Sequence, residues 1–144
     1  MIAVDTNLLI YAHRQESRWH SDAAAILRRL AEGATPWAIP WPCIHEFLAV
    51  ATHPRIFDPP STTQKATTQL SYWTASPSVV LIGEGPGYQE RLNEVLSSSK
   101  VVGPKVHDAR IAAICLYHGV RELWSADRDF ARFPALAVRN PLVG

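Results

Sequence analysis

Short apolar runs alternate with longer amphipathic segments along this chain of 144 residues. The runs contain three or four residues each and are bounded by Gly, Pro, Ser or charged residues, as strands are. They lie at residues 2–4, 37–40, 79–82, 122–124 and 136–139. Strands that alternate with helices form parallel sheets, because each helical crossover returns the chain to the same end of the sheet. We therefore predict an α/β fold with a mostly parallel central sheet and helices on both faces.

The segments between these runs carry apolar residues at helical spacing. In the second segment, for example, Ile26, Leu27 and Leu30 fall on one helical face. We predict helices at residues 6–14, 22–31, 43–52, 61–75, 88–97 and 106–117. Ser21 is predicted to cap the second helix, and either Ser61 or Thr62 the fourth. Gly119 lies just beyond the last helix, where a helix C-terminus often requires glycine.

Composition bounds the class of protein. The chain is 47% hydrophobic and 19% charged, which fits a single globular domain over residues 1–144 with a core of its own. No stretch approaches the length of a membrane span, and the N-terminus begins a strand where a signal peptide would need a longer apolar run. Cys43 and Cys115 are both flanked by apolar residues, which is typical of buried thiols in a reducing compartment. We expect a soluble cytoplasmic protein.

Five acidic residues stand at the boundaries of the predicted elements. Asp5 follows the first strand, and Glu46 lies in the helix after the second. Asp108 opens a late helix, and Asp127 and Asp129 follow the fourth strand. Because the carboxyl ends of parallel strands meet at one edge of the sheet, these side chains are expected to cluster there. Carboxylate oxygens are the ligands of hard cations such as Mg²⁺, so the pattern predicts a metal site.

Each acid also has a purely structural explanation. Asp5 could cap a helix, and Asp108 could interact with a helix dipole. These explanations do not account for Glu46 inside an otherwise apolar helix, or for the doubled acids Asp127 and Asp129. Clustered carboxylates are costly unless a cation neutralises them, so we favour the metal site. Four or five carboxylates are compatible with either one or two ions.

The remaining charges are mostly basic. Of the 13 acidic residues five belong to this set, and the other eight stand against 14 Lys and Arg, a net charge of +6. An acidic centre in a basic surround suits a polyanion, although ordinary solvated surface is the alternative. Trp41 or Trp19 could stack an unpaired base. The candidate phosphate contacts are Arg14, Arg55, Lys105, Arg110 and Arg128.

This combination indicates phosphodiester hydrolysis. A carboxylate-bound Mg²⁺ or Mn²⁺ lowers the pKa of a bound water and offsets charge on the phosphate oxygens. A metal-free ribonuclease would need paired histidine bases, and the six histidines show no such spacing. His107, beside Asp108, is the histidine that most merits a test.

Four segments carry a resemblance to a known family. They are VDTNLLIYA at 4–12, IHEFL at 44–48, HDARIAA at 107–113 and WSADRDF at 124–130. In this order and spacing the chain resembles a PIN-domain nuclease, and more narrowly a VapC-type ribonuclease toxin of a bacterial type II toxin-antitoxin system. The stretches THPRIF at 52–57 and FPALAVRNPL at 133–142 resemble an actinobacterial-looking branch of those toxins.

The resemblance implies a PIN-like three-layer α/β/α fold and a Mg²⁺-dependent endoribonuclease, with Mn²⁺ as a possible substitute. It implies single-stranded RNA or RNA loops as substrate, a cognate VapB-type antitoxin as partner, and a homodimer. The residues that carry over as catalytic metal ligands are Asp5, Glu46, Asp108 and Asp127. Asp129 stands where the family is acidic less regularly, so its role stays open. Thr6, Asn7 and Ser125 stand where the family has small polar residues that support the carboxylates.

Other function classes fit less well. A phosphoaccepting receiver domain needs an acidic pair after the first strand, and a haloacid-dehalogenase-type phosphatase needs an acid at position 7, which is Asn. Flap-type DNA nucleases need insertions for which this chain has no room. A catalytically inactive PIN scaffold that only binds RNA or an antitoxin remains the open alternative.

Overall fold

The computed structural model describes residues 1–143, in which the chain forms a five-stranded sheet. The strands are β1 Ile2–Val4, β2 Trp37–Pro40, β3 Val79–Ile82, β4 Glu122–Trp124 and β5 Val138–Arg139. All four strand pairs are parallel, which confirms the predicted α/β sheet. The last strand is shorter than predicted. Leu136 instead lies in a turn, where its backbone N–H donates to the carbonyl of Phe133 at 3.0 Å and its side chain is buried.

The strand order β3-β2-β1-β4-β5 reverses direction once. The chain moves outward from β1 to β3 and then returns to the other side of β1 to form β4. Right-handed crossovers therefore place the helices before β3 on one face and those between β3 and β4 on the other. In such sheets a crevice opens at the carboxyl ends of the two strands where the order reverses, here β1 and β4.

Six α-helices lie within the described residues. They are α1 Thr6–His13, α2 His20–Glu32, α3 Trp41–Ala51, α4 Thr63–Thr74, α5 Tyr88–Ser99 and α6 Val106–Tyr117. A 3₁₀ turn at Gly103–Lys105 leads into α6, and another at Arg128–Arg132 follows β4. None of the helices in the described part of the chain combines the length and hydropathy needed to cross a bilayer.

The helix ends differ from the sequence predictions by a few residues. The prediction that Ser21 caps α2 is wrong: α2 begins at His20, and Trp19 occupies the cap position without a side-chain hydrogen bond. Thr62, one of the two candidates for α4, is its cap and accepts from the Lys65 N–H at 3.1 Å. Gly119, just past α6, has a φ of 67°, a conformation that favours glycine.

The core lies between the sheet and its two helical layers. Val4 in β1 and Trp37 and Ile39 in β2 are fully buried, as are Leu8 and Leu9 of α1. Burial of each such side chain stabilises the fold by about 1.5–3 kcal/mol before the entropy of ordering is subtracted. The two cysteines are buried free thiols, as predicted.

Candidate metal centre

Asp5 stands at the carboxyl end of β1, where the strand passes into α1. Its backbone N–H donates to the carbonyl of Trp124 at 3.0 Å, which extends the ladder between β1 and β4 by one residue. Its Oδ1 accepts from the Thr6 N–H at 2.8 Å and so caps α1. The residue is only 4% exposed. Asp5 is therefore both a helix cap and a buried carboxylate, and the capping role does not exclude metal binding.

Asn7 and Ser125 tie the ends of the two central strands together. The Ser125 hydroxyl donates to Asp5 Oδ2 at 2.7 Å, and Asn7 Nδ2 donates to the same oxygen at 3.2 Å. Asn7 Nδ2 is also 3.3 Å from Ser125 Oγ, while its Oδ1 accepts from the Ala126 N–H at 3.1 Å. These contacts hold the Asp5 carboxylate in one orientation at the crevice between β1 and β4.

A cavity of about 210 Å³ opens at this crevice. Its acidic lining comes from four separate segments: the end of β1, the middle of α3, the first turn of α6 and the loop after β4. These carboxylates are Asp5, Glu46, Asp108 and Asp127. Thr6 and Asn7 also line it, together with an apolar wall that includes Ile10, Ile111 and Phe130. The structure thus brings together the four acids that the sequence singled out.

Asp129 is close to this group but is held differently. Carboxylate oxygens of Asp108, Asp127 and Asp129 lie within 4.8 Å of one another. The Asp129 N–H donates to Asp127 Oδ1 at 2.8 Å, so Asp127 caps the 3₁₀ turn that carries Asp129. The Asp129 side chain forms an ion pair with Lys105 and is not part of the cavity lining. Asp129 therefore already has a cationic partner in the protein.

The site opposes the ionisation of two of its carboxyl groups. Burial raises the pKa of Asp5 to about 6, and the Glu46 charge adds to the rise, while hydrogen bonds from Ser125 and Thr6 oppose it. Burial, and next the charge of Asp127, raise the pKa of Asp108 above its usual value. The positive charges of Lys105, His107 and Arg132 only partly offset that rise. A bound cation would relieve the same unfavourable charge.

The donor set of the cavity fits a hard divalent cation. Four carboxylates line it, and carboxylate oxygens are the ligands that such cations prefer. The Thr6 hydroxyl is buried beside them and interacts with the Cys43 thiol, whose pKa burial raises well above its usual value.

Three of the five basic residues proposed to contact phosphate are engaged within the protein. Arg14 bonds Glu16 at 2.6 Å, Lys105 pairs with Asp129, and Arg110 bonds Glu84 at 2.6 Å. The other two, Arg55 and Arg128, are exposed. No carboxylate within residues 1–143 lies at ion-pairing distance from either of them. RNA contact by any of the five stays a prediction.

The sequence analysis missed several residues of the site. The Cys43 thiol donates to Asp5 Oδ1 at 3.5 Å, Tyr11 lines the cavity, and Arg132 contributes positive charge near Asp108. Helical spacing could have identified two of them, because Tyr11 lies four residues after Asn7, and Cys43 three before Glu46. Arg132 gave no such signal, since its position depends on the 3₁₀ turn.

Comparisons with known proteins agree on one family. The PIN domain family model matches residues 2–136. Ribonuclease VapC43 of Mycobacterium tuberculosis is 35% identical over 144 residues, which cover 100% of this chain and 97% of that protein.

Two solved structures share the fold. The crystal structure of VapBC2 from Rickettsia felis bound to a promoter DNA fragment matches 96% of this chain and 98% of that chain, with a TM-score of 0.71 at 17% identity. The structure of Mycobacterium tuberculosis VapC20, described as a sarcin-ricin loop cleaving toxin, matches 91% and 93%, with a TM-score of 0.66 at 16% identity.

Proposed function

This chain belongs to the PIN domain family and, within it, to the VapC-type proteins, and we propose that it is a metal-dependent endoribonuclease that acts as the toxin of a toxin-antitoxin pair. The observation that carries the proposal is the convergence of Asp5, Glu46, Asp108 and Asp127 on one cavity. The name of VapC43 as a ribonuclease supports RNA as the substrate. The description of VapC20 as a sarcin-ricin loop cleaving toxin supports single-stranded RNA or RNA loops.

We propose that Mg²⁺, with Mn²⁺ as a substitute, is held by Asp5, Asp108 and Asp127 together with Glu46. When bound, such an ion lowers the pKa of a water and neutralises charge on a phosphodiester. Asp129 supports this group from outside the cavity through Asp127 and Lys105.

The chain's own residues orient and protect the reaction. Asn7 and Ser125 hold the Asp5 carboxylate in one orientation through their hydrogen bonds. The apolar wall lowers the local dielectric and strengthens every charge interaction inside. Glu46 is the one exposed carboxylate of the four, and it joins the three more buried ones as a ligand of the ion.

The partners follow from the same family membership. We propose that exposed Arg55 and Arg128 hold the RNA backbone, that a cognate VapB-type antitoxin silences the protein, and that the chain acts as a homodimer. The pairing of VapB with VapC in the Rickettsia felis complex supports the antitoxin. We further propose that residues 1–144 work as one nuclease domain.

The first prediction is that RNA cleavage requires the divalent cation and the acidic cavity. Purified protein should cut an unpaired RNA in Mg²⁺ or Mn²⁺ and lose that activity in excess EDTA. Asp108→Asn should abolish cleavage, because it removes a ligand of the ion. The control Asp22→Asn, at an exposed position of α2, should cleave RNA like the wild type. Fragment 5′ ends, read by sequencing, measure the outcome.

Two results would contradict the proposal. Undiminished cleavage in EDTA would exclude the metal. Tight RNA binding without cleavage, in either metal, would leave the inactive scaffold as the better description.

A further inference from the structure

We propose that Trp41 and His45 form a stacking platform for an unpaired base of the RNA substrate, beside the acidic cavity. The inference rests on the proposed ribonuclease function and extends it to substrate positioning. Aromatic side chains are the usual partners of splayed-out bases, because every base presents a flat π face.

The platform lies on the same edge of the sheet as the cavity. β2 ends at Pro40 and Trp41 is the first residue of α3. The register pairs Ile2 with Trp37 and Ala3 with Ala38, so continuing it sets Asp5 beside Pro40. Neighbouring strands are about 4.8 Å apart. Trp41 therefore begins one strand away from Asp5, on the side of β3.

The two rings are held in place and remain open to solvent. Trp41 is 43% exposed, and His45 is exposed as well. Their ring centroids are 6.1 Å apart with a 44° angle between the planes. His45 Nδ1 lies 3.0 Å from the Trp41 carbonyl oxygen, which can only accept, so Nδ1 is the donor and the imidazole is fixed against α3.

Gly83 lies close to the edge of the Trp41 indole. A Cβ at position 83, just after β3, would lie 3.2 Å from Trp41 Cδ1, so the backbone of this loop packs closely against the edge of the ring. A ring that is ordered before binding loses less conformational entropy when a base stacks on it.

The surroundings favour a nucleic acid over a core role for Trp41. Trp37 and Trp73 are buried in the hydrophobic core, whereas Trp41 is outside the core cluster and its packed neighbours. Glu84, the residue after Gly83, forms an ion pair with Arg110 at 2.6 Å, so the Glu84 charge near the platform is offset. A solvent-exposed aromatic pair thus lies on the same sheet edge as the acidic cavity.

The test compares RNA binding of Trp41 variants in Ca²⁺, which limits turnover. The probe is a short fluorescent RNA without secondary structure, together with versions that carry one abasic site at each position in turn. Trp41→Ala should weaken binding by about 5- to 100-fold, and Trp41→Phe by no more than about threefold. Tyr72→Ala, at an equally exposed aromatic on α4, should bind like the wild type. When cleavage is measured in Mg²⁺, Trp41→Ala should raise KM and leave kcat unchanged.

The abasic series separates stacking from folding. At one abasic position, wild type and Trp41→Ala should bind equally, because the base that stacks is already absent. The inference is overturned if Trp41→Ala binds intact RNA like the wild type, or if it loses affinity equally for every abasic version. It is also overturned if that variant loses only antitoxin binding, which would make the rings a protein-docking surface. A wild type that cuts no RNA would instead refute the proposed function.

Discussion

Asp5 is the residue whose ionisation the fold opposes most clearly. Its pKa is raised to about 6 from 3.8, so between these values the folded chain binds a proton that the unfolded chain has released. The associated stability is present below about pH 4 and is lost as pH rises through 6. In EDTA, the wild type should therefore lose on the order of 3 kcal/mol of unfolding free energy between pH 4 and pH 7, relative to Asp5→Asn.

Urea denaturation at several pH values, with both proteins in the same metal-free buffer, measures this difference. Carboxyl groups away from Asp5 affect both proteins alike, so the difference between the two curves reports Asp5 and its coupling to Glu46. Mg²⁺ at pH 7 should restore stability to the wild type and not to Asp5→Asn. Parallel pH profiles would show that burial does not shift the ionisation of Asp5.

The Thr6 hydroxyl gives a second prediction at this scale. Its Oγ1 interacts with the Cys43 thiol, which is a weak hydrogen-bonding group, so Thr6→Val should lower the unfolding free energy in EDTA by less than about 1 kcal/mol. Ser125→Ala is the matched control. The Ser125 hydroxyl donates to Asp5 and accepts from the Asp127 N–H, so its removal should lower the unfolding free energy by about 1–3 kcal/mol. Thermal melts with and without Mg²⁺ distinguish them. Equal destabilisation by both would mean that the Thr6 hydroxyl has a stronger structural partner than this thiol.

At the scale of elements, Arg14 joins the end of α1 to the segment before α4. Its guanidinium lies 4.2 Å from the centre of the Phe57 ring and donates to the Pro59 carbonyl at 2.9 Å and to Ser61 Oγ at 3.2 Å. The side chain is only 13% exposed. From these contacts we expect that Arg14 stabilises the segment, and the predicted phosphate contact of Arg14 can be tested against this role.

Arg14→Ala should therefore lower the unfolding free energy by about 1–3 kcal/mol and change RNA affinity less than twofold. Arg55→Ala should do the reverse, because its side chain is exposed and makes no ion pair in residues 1–143. Thermal melts and RNA titrations of both variants give the comparison. If Arg14→Ala is as stable as the wild type and binds RNA weakly, the original assignment to phosphate is right.

Element types were predictable from the sequence, and element ends were less so. β1 and β2 were placed correctly because their apolar runs are bounded by Asp5 and by Pro40–Trp41. Ser21 was misjudged as a cap because α2 starts two residues earlier than predicted and has no side-chain cap. Leu136 was misjudged as strand because a buried side chain in a turn has the same local pattern as one in a short strand.

The acids of the site were predictable for a topological reason. Residues that follow parallel strands meet at one edge whatever the lengths of the connections, so Asp5 and Asp127 could be grouped from sequence. The ion pair between Lys105 and Asp129 could not be predicted from the sequence, because it depends on how two 3₁₀ turns face each other. Helical spacing places Cys43 on the same side of α3 as Glu46, but its hydrogen bond to Asp5 joins residues 38 apart in the chain and appears only in the fold.

At the scale of the whole molecule, the acidic cavity predicts how an antitoxin would act. A Lys or Arg from the antitoxin would compete with the metal for the carboxylates. Expression of the chain alone should arrest growth, and co-expression of the antitoxin should restore it. Expression of Asp108→Asn should leave growth curves unchanged. The variant should still co-purify with the antitoxin. Normal growth on strong expression of folded wild-type protein would argue against a toxin.

Because the strand order reverses, β1 pairs with β4, which is synthesised much later. Asp5 and its partner Ser125 are 120 residues apart, so Asp5 is synthesised long before Ser125. A ribosome that has not yet produced β4 and the loop after it holds a chain without Asp127 and without the contacts that orient Asp5. Under the proposed function, the growing chain consequently has no complete site for cutting RNA, including the message being translated, until the residues after β4 have been made.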